Sequence, residues 1–232
     1  MLKIKQYIRK ALSIQDTISN ISFFNTLTPD QKNQIASISN ISKYNKDTIL
    51  YYESESKKSM FFLVSGLIKI YKLDKFENEI FLYHIYKNSM ISELSSITEN
   101  DIYCFSNAEF IKDSEVLSIN FKEFQDRFLS QNILATQLME ILLKKTHQLQ
   151  GILNRELVFD ATSKVAFMLN QDIEMFNKLK RQEVSFMLHI QPETLSRVLK
   201  KLSRNETIEI NNGEVMITNK TALENIFKGV GI

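Results

Sequence analysis

Gln191 to Leu202 reads QPETLSRVLKKL, and the fold follows from these twelve residues. Pro192 suits the first position of a helix, where a missing N–H costs nothing and the fixed φ is already helical. Leu195, Val198, Leu199 and Leu202 recur at i, i+3, i+4 and i+7, which makes one apolar face. Glu193, Thr194, Ser196, Arg197, Lys200, Lys201 and Arg204 take the remaining surface, with acid and hydroxyl groups early and bases later. That polarity suits a helix whose N-terminal residues meet base edges in a DNA major groove and whose later residues meet phosphate.

Upstream, Gln182–Leu188 (QEVSFML) is a short amphipathic stretch with Val184, Met187 and Leu188 on its apolar side. His189 and Ile190 leave only a tight connection, so two short helices follow each other in a helix-turn-helix. Downstream, Thr207–Asn211 and Glu214–Ile217 alternate like strands around Asn212-Gly213, a pair that tolerates the positive φ of a two-residue hairpin. Helix, turn, helix and hairpin make a winged helix. Between Lys178 and Arg204 stand seven bases (Lys178, Lys180, Arg181, Arg197, Lys200, Lys201 and Arg204) against Glu183 and Glu193. Charge alone favours a solvated helix surface. Attached to a helix-turn-helix, it reads as a phosphate-binding face.

The block RQEVSFMLHIQPETLSRVLKKL, Arg181 to Leu202, resembles the helix-turn-helix of the cAMP receptor protein/Fnr (Crp/Fnr) family of bacterial transcription regulators. Its E-T-x-S-R segment is nearest to the Fnr- and Dnr-type recognition helix. Further resemblances follow in the family's order: Phe23-Phe24 and Leu27-Thr28-Pro29 at the start of the effector domain, then Phe61-Phe62-Leu63-Val64-Ser65-Gly66 as a strand and turn. Ser92-Glu93-Leu94 stands where the family often has G-E-L, and Asp160–Ala166 resembles the first helix of its DNA domain.

Length, composition and patterning agree. A chain of 232 residues, 44% hydrophobic and 24% charged, is ordinary for one or two soluble domains. The net charge of +2 is in itself a poor sign of nucleic-acid binding. No apolar run reaches the roughly eighteen residues of a membrane span. The start, Met1–Leu12 (MLKIKQYIRKAL), is basic and amphipathic rather than a signal peptide, and one cysteine fits a reducing cytoplasm. The expected fold is α+β, in three parts. Residues 1–125 form an effector-sensing, cyclic-nucleotide-binding-like β jelly roll with an N-terminal helical segment. Its short strands are read at Thr48–Tyr52, Met60–Val64, Leu67–Leu73, Glu79–Tyr86 and Glu115–Ile119. Residues 126–156 form a long dimerisation helix, and 157–232 the winged helix-turn-helix. No strong break interrupts Phe121–Arg155 except Gly151, and Leu138, Leu142, Lys145, Leu149 and Ile152 alternate by four and three. That seam serves a dimer or packing against the helix's own β-domain; the resemblance favours the dimer.

The chemistry of α-helical readers assigns roles. Arg197 suits a bidentate bond to guanine O6 and N7, Glu193 accepts from a cytosine amine, and Ser196 serves base or phosphate. Glu193 also suits the helix dipole. The resemblance implies a TTGA-like half-site for these three. Pro192 stands where the cAMP receptor protein has an extra arginine, so the first G of a TGTGA-type half-site has no reader. Thr194, Lys200, Lys201 and Arg204 are expected phosphate contacts. The implied partners are double-stranded DNA, a second copy of the chain and RNA polymerase, with no membrane.

The signal is less legible. Tyr103 and Cys104 fall where cAMP-binding relatives carry an Arg-Ser pair, and neither supplies a guanidinium for the cyclic phosphate. Glu93 matches the ribose-contacting carboxylate, while Leu149 and Gln150 stand where a Thr-Ser pair is expected. These departures argue against cAMP, and a lone Cys104 provides one of the four thiolates of an iron–sulfur cluster. The cofactor stays unknown. Haem on His84, His147 or Cys104, thiol chemistry at Cys104, an unidentified small molecule or gas, and no ligand at all remain open. Lys145 suits an anionic effector or merely sets helix register. Catalysis has no support: the chain carries no Gly-rich phosphate loop, H-E-x-x-H, paired Cys ligands or G-x-S-x-G. The alternative to a DNA reader is a dimeric effector-binding module whose winged helix contacts protein.

Overall fold

The computed structural model describes residues 14–228, so the amphipathic start Met1–Leu12 lies outside the described residues. The chain forms two compact units, one up to Thr146 and one from His147.

The first unit opens with helix α1 (residues 14–20) and α2 (Pro29–Ser37). Thr28 caps α2 with Pro29 in its first turn: the Thr28 hydroxyl accepts from the Gln31 N–H, and the Gln31 side chain accepts from the Thr28 N–H. Ten strands follow: β1 (Ser39–Tyr44), β2 (Ile49–Tyr51), β3 (Ser56–Lys57), β4 (Ser59–Ser65), β5 (Ile68–Leu73), β6 (Glu79–Ile85), β7 (Ser89–Met90), β8 (Ile102–Tyr103), β9 (Asn107–Phe110) and β10 (Ser114–Asn120). They pair as two four-stranded antiparallel sheets, β1-β10-β4-β7 and β2-β9-β5-β6, with β3-β8 as a two-stranded ribbon. This is the expected jelly roll. On β6 the side chains alternate as the pleat requires: Phe81, Tyr83 and Ile85 are buried, Ile80, Leu82 and His84 only partly so. Gly66, between β4 and β5, has φ +99°, and a Cβ there would meet the Ser114 Oγ at 2.0 Å. Only glycine fits.

The uninterrupted helical stretch expected from Phe121 onward is broken. Helix α3 (Phe121–Arg127) ends at Phe128, a fully buried ring stacked on Phe124. Asn132 and Leu134 then adopt left-handed φ of 59° and 63°, and the long helix α4 runs Ala135–Leu153. A π-helical turn, Asn154–Val158, follows it. Among the described residues no helix is long and apolar enough to cross a membrane.

In the second unit Asp160 caps α5 (Ala161–Lys178), accepting from the Ser163 N–H at 2.7 Å. The helix kinks at Asp172, whose carboxylate re-caps the next turn through the Met175 N–H. Then come α6 (Arg181–Met187), α7 (Pro192–Arg204), the hairpin β11 (Ile208–Asn211) and β12 (Glu214–Ile217), and α8 (Lys220–Lys228). Leu195, Val198, Leu199 and Leu202 of α7 are all buried, each worth roughly 1.5–3 kcal/mol. They pack with Val165, Ala166, Leu169, Val184 and Leu188 into one core. Asn212 and Gly213 take φ of 51° and 87°, the positive pair that a type I′ turn requires.

Candidate nucleic-acid interface and effector cluster

With its apolar stripe spent on the core, α7 leaves its polar face outward. Glu193, Ser196, Arg197, Lys200, Lys201 and Arg204 are exposed, and Thr194 is half-buried. Among the described residues the side chains of Glu193, Ser196, Arg197, Lys200 and Arg204 make no hydrogen bond or ion pair, leaving their donors and acceptors available. Lys201 lies near Asp160. That carboxyl is held below its ordinary range first by the Ser163 N–H and, to a smaller degree, by the Lys201 charge.

Two residues that hold the wing were not singled out from the sequence. Asn177 of α5 donates to the Val215 carbonyl and accepts from the Val215 N–H. Arg181 reads from the sequence as one of the surface bases, but its guanidinium lies over the Phe176 ring at 4.7 Å and donates to the Gly213 carbonyl at 2.6 Å. It braces the wing tip. An i, i+38 pairing such as Asn177 with Val215 has no periodicity that marks it.

In the β-roll, Ser92-Glu93-Leu94 builds a polar cluster. The Ser92 hydroxyl accepts from the Phe61 N–H at 2.9 Å. Glu93 accepts from the Tyr83 hydroxyl at 3.0 Å, the Ser106 hydroxyl at 2.8 Å and the Phe105 N–H at 3.2 Å. Burial and then the Glu93 charge raise the Tyr51 and Tyr83 hydroxyls well above the ordinary tyrosine range. The Tyr51 hydroxyl is buried without a hydrogen-bond partner among the described residues. Lys145 faces the same carboxylate, which opposes the burial that pulls its ammonium down to about 8. It makes no hydrogen bond or ion pair among the described residues.

Glu93 is already spent on three protein donors, and the sole arginine of the described part of this unit, Arg127, pairs with Glu123 at 2.6 Å. Tyr103 is exposed, its hydroxyl donating to the Ser54 Oγ. Cys104 is 3% exposed, and burial pushes its thiol up to about 11. A protonated, enclosed thiol is a poor nucleophile. His84 lies on the opposite face of β6 from Tyr83, between Phe81 and Tyr86; His147 is exposed on α4 beside Gln150; Cys104 is enclosed. No group of three or more His, Cys, Asp or Glu able to hold a metal occurs among the described residues.

The seam residues divide. Leu138 is 4% exposed, in the core of the first unit, and Leu142 packs against that core. α4 uses this face to cover the β-roll, with Leu142 only partly buried. Lys145 and Ile152 are half-buried and Leu149 is exposed. The exposed apolar groups of α4 are Met139, Leu143, Leu149 and Leu153, of which Leu149 belongs to the expected seam.

Residues 41–131 match the cyclic nucleotide-binding domain family, and residues 163–226 match the Crp-like helix-turn-helix domain family. The anaerobic regulatory protein of Bacillus subtilis is 27% identical over 125 residues, 54% of this chain and 52% of that protein, so the match spans about half of that relative. The cyclic AMP receptor protein of Thermus thermophilus is 19% identical over 211 residues, 89% of this chain and 97% of that one. The fold is shared with FixK2 of Bradyrhizobium japonicum (TM-score 0.60, 19% identity, 82% of this chain and 97% of that one). It is shared too with a mutant of CooA from Carboxydothermus hydrogenoformans (TM-score 0.65, 18% identity, 82% and 88%). A β-roll bearing S-E-L, a long helix and a winged helix with E-T-x-S-R outward thus occur in one chain, which belongs to the Crp/Fnr family of DNA-binding transcription regulators.

Proposed function

We propose that the chain acts as a homodimer reading a TTGA-like palindrome through Glu193, Ser196 and Arg197, under a signal other than cyclic AMP. The observation that carries this reading is α7: four apolar side chains anchor it, while its reader residues are exposed and unpaired. Thr194, Lys200, Lys201 and Arg204 serve phosphate, positioning without specifying. The stripe Met139, Leu143, Leu149 and Leu153 supplies the dimer contact. Two recognition helices about one helical turn apart, roughly 34 Å, then require a palindromic operator. RNA polymerase is the partner for activation, and no catalytic step is assigned to the chain.

The signal enters at the polar cluster of the β-roll. Lys145 and Tyr51 offer a cation and a hydroxyl without hydrogen-bond partners, which suits a small anionic effector better than a cyclic nucleotide, because Glu93, the expected ribose contact, is already engaged. Fluorescence anisotropy on a TTGA-N6-TCAA palindrome, beside a control with both G·C pairs changed to A·T, tests the reading. Tight binding lost in the control supports it; equal, salt-sensitive binding to both removes the sequence preference. The second reading, a winged helix that docks on protein, draws on Phe186 of α6 and Met216 of β12, both exposed. It requires that Arg197→Ala leave DNA behaviour unchanged.

A further inference from the structure

Glu156 lies in the π-helical turn that follows α4, yet its carboxylate reaches the turn of the helix-turn-helix. Its Oε2 is 2.9 Å from the Nδ1 of His189 and 3.8 Å from the Nζ of Lys164, while its Oε1 accepts from the Nε of Arg155 at 2.7 Å. These bonds outweigh burial and hold the Glu156 carboxyl below its ordinary range. The carboxylate therefore accepts, and Nδ1 carries the hydrogen.

His189 needs such a partner. Its φ is +51°, in a turn that often holds glycine, and a residue with a side chain is disfavoured there. Lys164 adds a second tie, donating to the carbonyl of Leu188, the C-cap of α6, at 3.2 Å. The end of α4 also lies close on α5, since a Cβ at Gly151 would come within 3.3 Å of the Phe167 ring. None of these residues belongs to the exposed face of α7 that reads bases.

We propose that Glu156 is a positioning residue for DNA reading: by holding His189 in its left-handed turn and Lys164 over the end of α6, it locks the segment after α4 to the recognition helix. A displacement of that segment is then passed to α7 through a charge-assisted bond rather than absorbed by a loose turn. This inference rests on the DNA-reading function proposed above.

The test leaves Glu156 among its cations and changes its partner, in the full chain. His189→Gly accepts the positive φ without strain but has no donor. His189→Asn also tolerates the left-handed region, and its Nδ2 stands where Nδ1 of the imidazole stood. Anisotropy is measured on the TTGA palindrome and its A·T control at one salt concentration, with a melting curve for each protein. The expected result is a loss of about tenfold in palindrome affinity for His189→Gly, the size of one charge-assisted hydrogen bond. Its melting temperature is not lowered, and His189→Asn stays close to the wild type. Wild-type discrimination with His189→Gly binding equally tightly overturns the inference alone. So does an equal loss in both variants, which would assign the effect to the imidazole ring rather than to the bond. A wild type that does not discriminate overturns the DNA-reading function and this inference with it.

Discussion

Asn177 and Val215 exchange two hydrogen bonds of 2.9 Å each, so a side chain of α5 pairs with the wing strand as a neighbouring strand would. Val215 is fully buried. Asn177→Ala would leave its N–H and C=O unpaired, and the expected cost is about 2 kcal/mol of stability in the second unit. Chemical denaturation followed by circular dichroism checks it; a change below a few tenths would mean that the wing is held by its hairpin alone.

Arg197 is expected to carry guanine recognition. Arg197→Ala should remove roughly 1–3 kcal/mol of discrimination per half-site between the TTGA palindrome and its A·T control. Lys200→Ala should instead weaken binding to both duplexes and flatten the salt dependence by about one unit of slope. A competition titration across salt concentrations separates a base reader from a phosphate contact.

The face of α4 decides which leucine matters for what. Leu143 is 55% exposed and Leu138 is buried, although both lie on the same helix. Leu143→Asp should shift the sedimentation profile from dimer to monomer with little change in monomer folding. Leu138→Ala should cost about 2–5 kcal/mol of stability through a cavity and leave dimerisation of the folded protein intact. The reverse pattern would return the dimer contact to the Leu138 side.

Lys145 predicts a pH dependence of defined sign. Its folded value is pulled down to about 8 by burial, below the ordinary 10.5. Between those limits the unfolded chain holds the proton and the folded chain does not, so this group makes stability rise with pH there. Below about 8 the group is charged in both states and its burial penalty is fully present. Lys145→Met should therefore be more stable than the wild type at neutral pH, with the gap closing as pH rises toward 10. Equal melting temperatures at pH 7 would refute the desolvated ammonium.

Cys104 should resist alkylation. Its burial and a thiol value pushed up to about 11 leave little thiolate near neutrality. Iodoacetamide labelling followed by mass spectrometry should proceed at the rate of unfolding; fast labelling of the native protein would restore thiol chemistry as a sensing route.

The second unit was largely legible because its signals are local. Pro192, the apolar positions of α7 and Asn212-Gly213 each act within a turn or two of chain. The fold places all of them as read. In the β-roll, β4, β5, β6 and β10 were readable from β-branched and aromatic runs. The polar strands β1 (SNISKY) and β9 (NAEF) were not, because long-range pairing rather than their own composition makes them strands. Resemblance singles out Glu93 as an expected ribose contact; its three donors, Tyr83, Phe105 and Ser106, have no local mark.

Periodicity, turn chemistry and the order of motifs by themselves determined the fold class, the recognition helix and the residues it turns outward. All of these depend on neighbours a few positions apart. Only the tertiary structure decided which face of α4 is free and that Arg181 braces the wing at Gly213. It alone joined Glu156 to His189 across 33 positions. These outcomes rest on contacts closed by packing, and a seam of leucines reads the same whether its partner is another copy or its own β-roll.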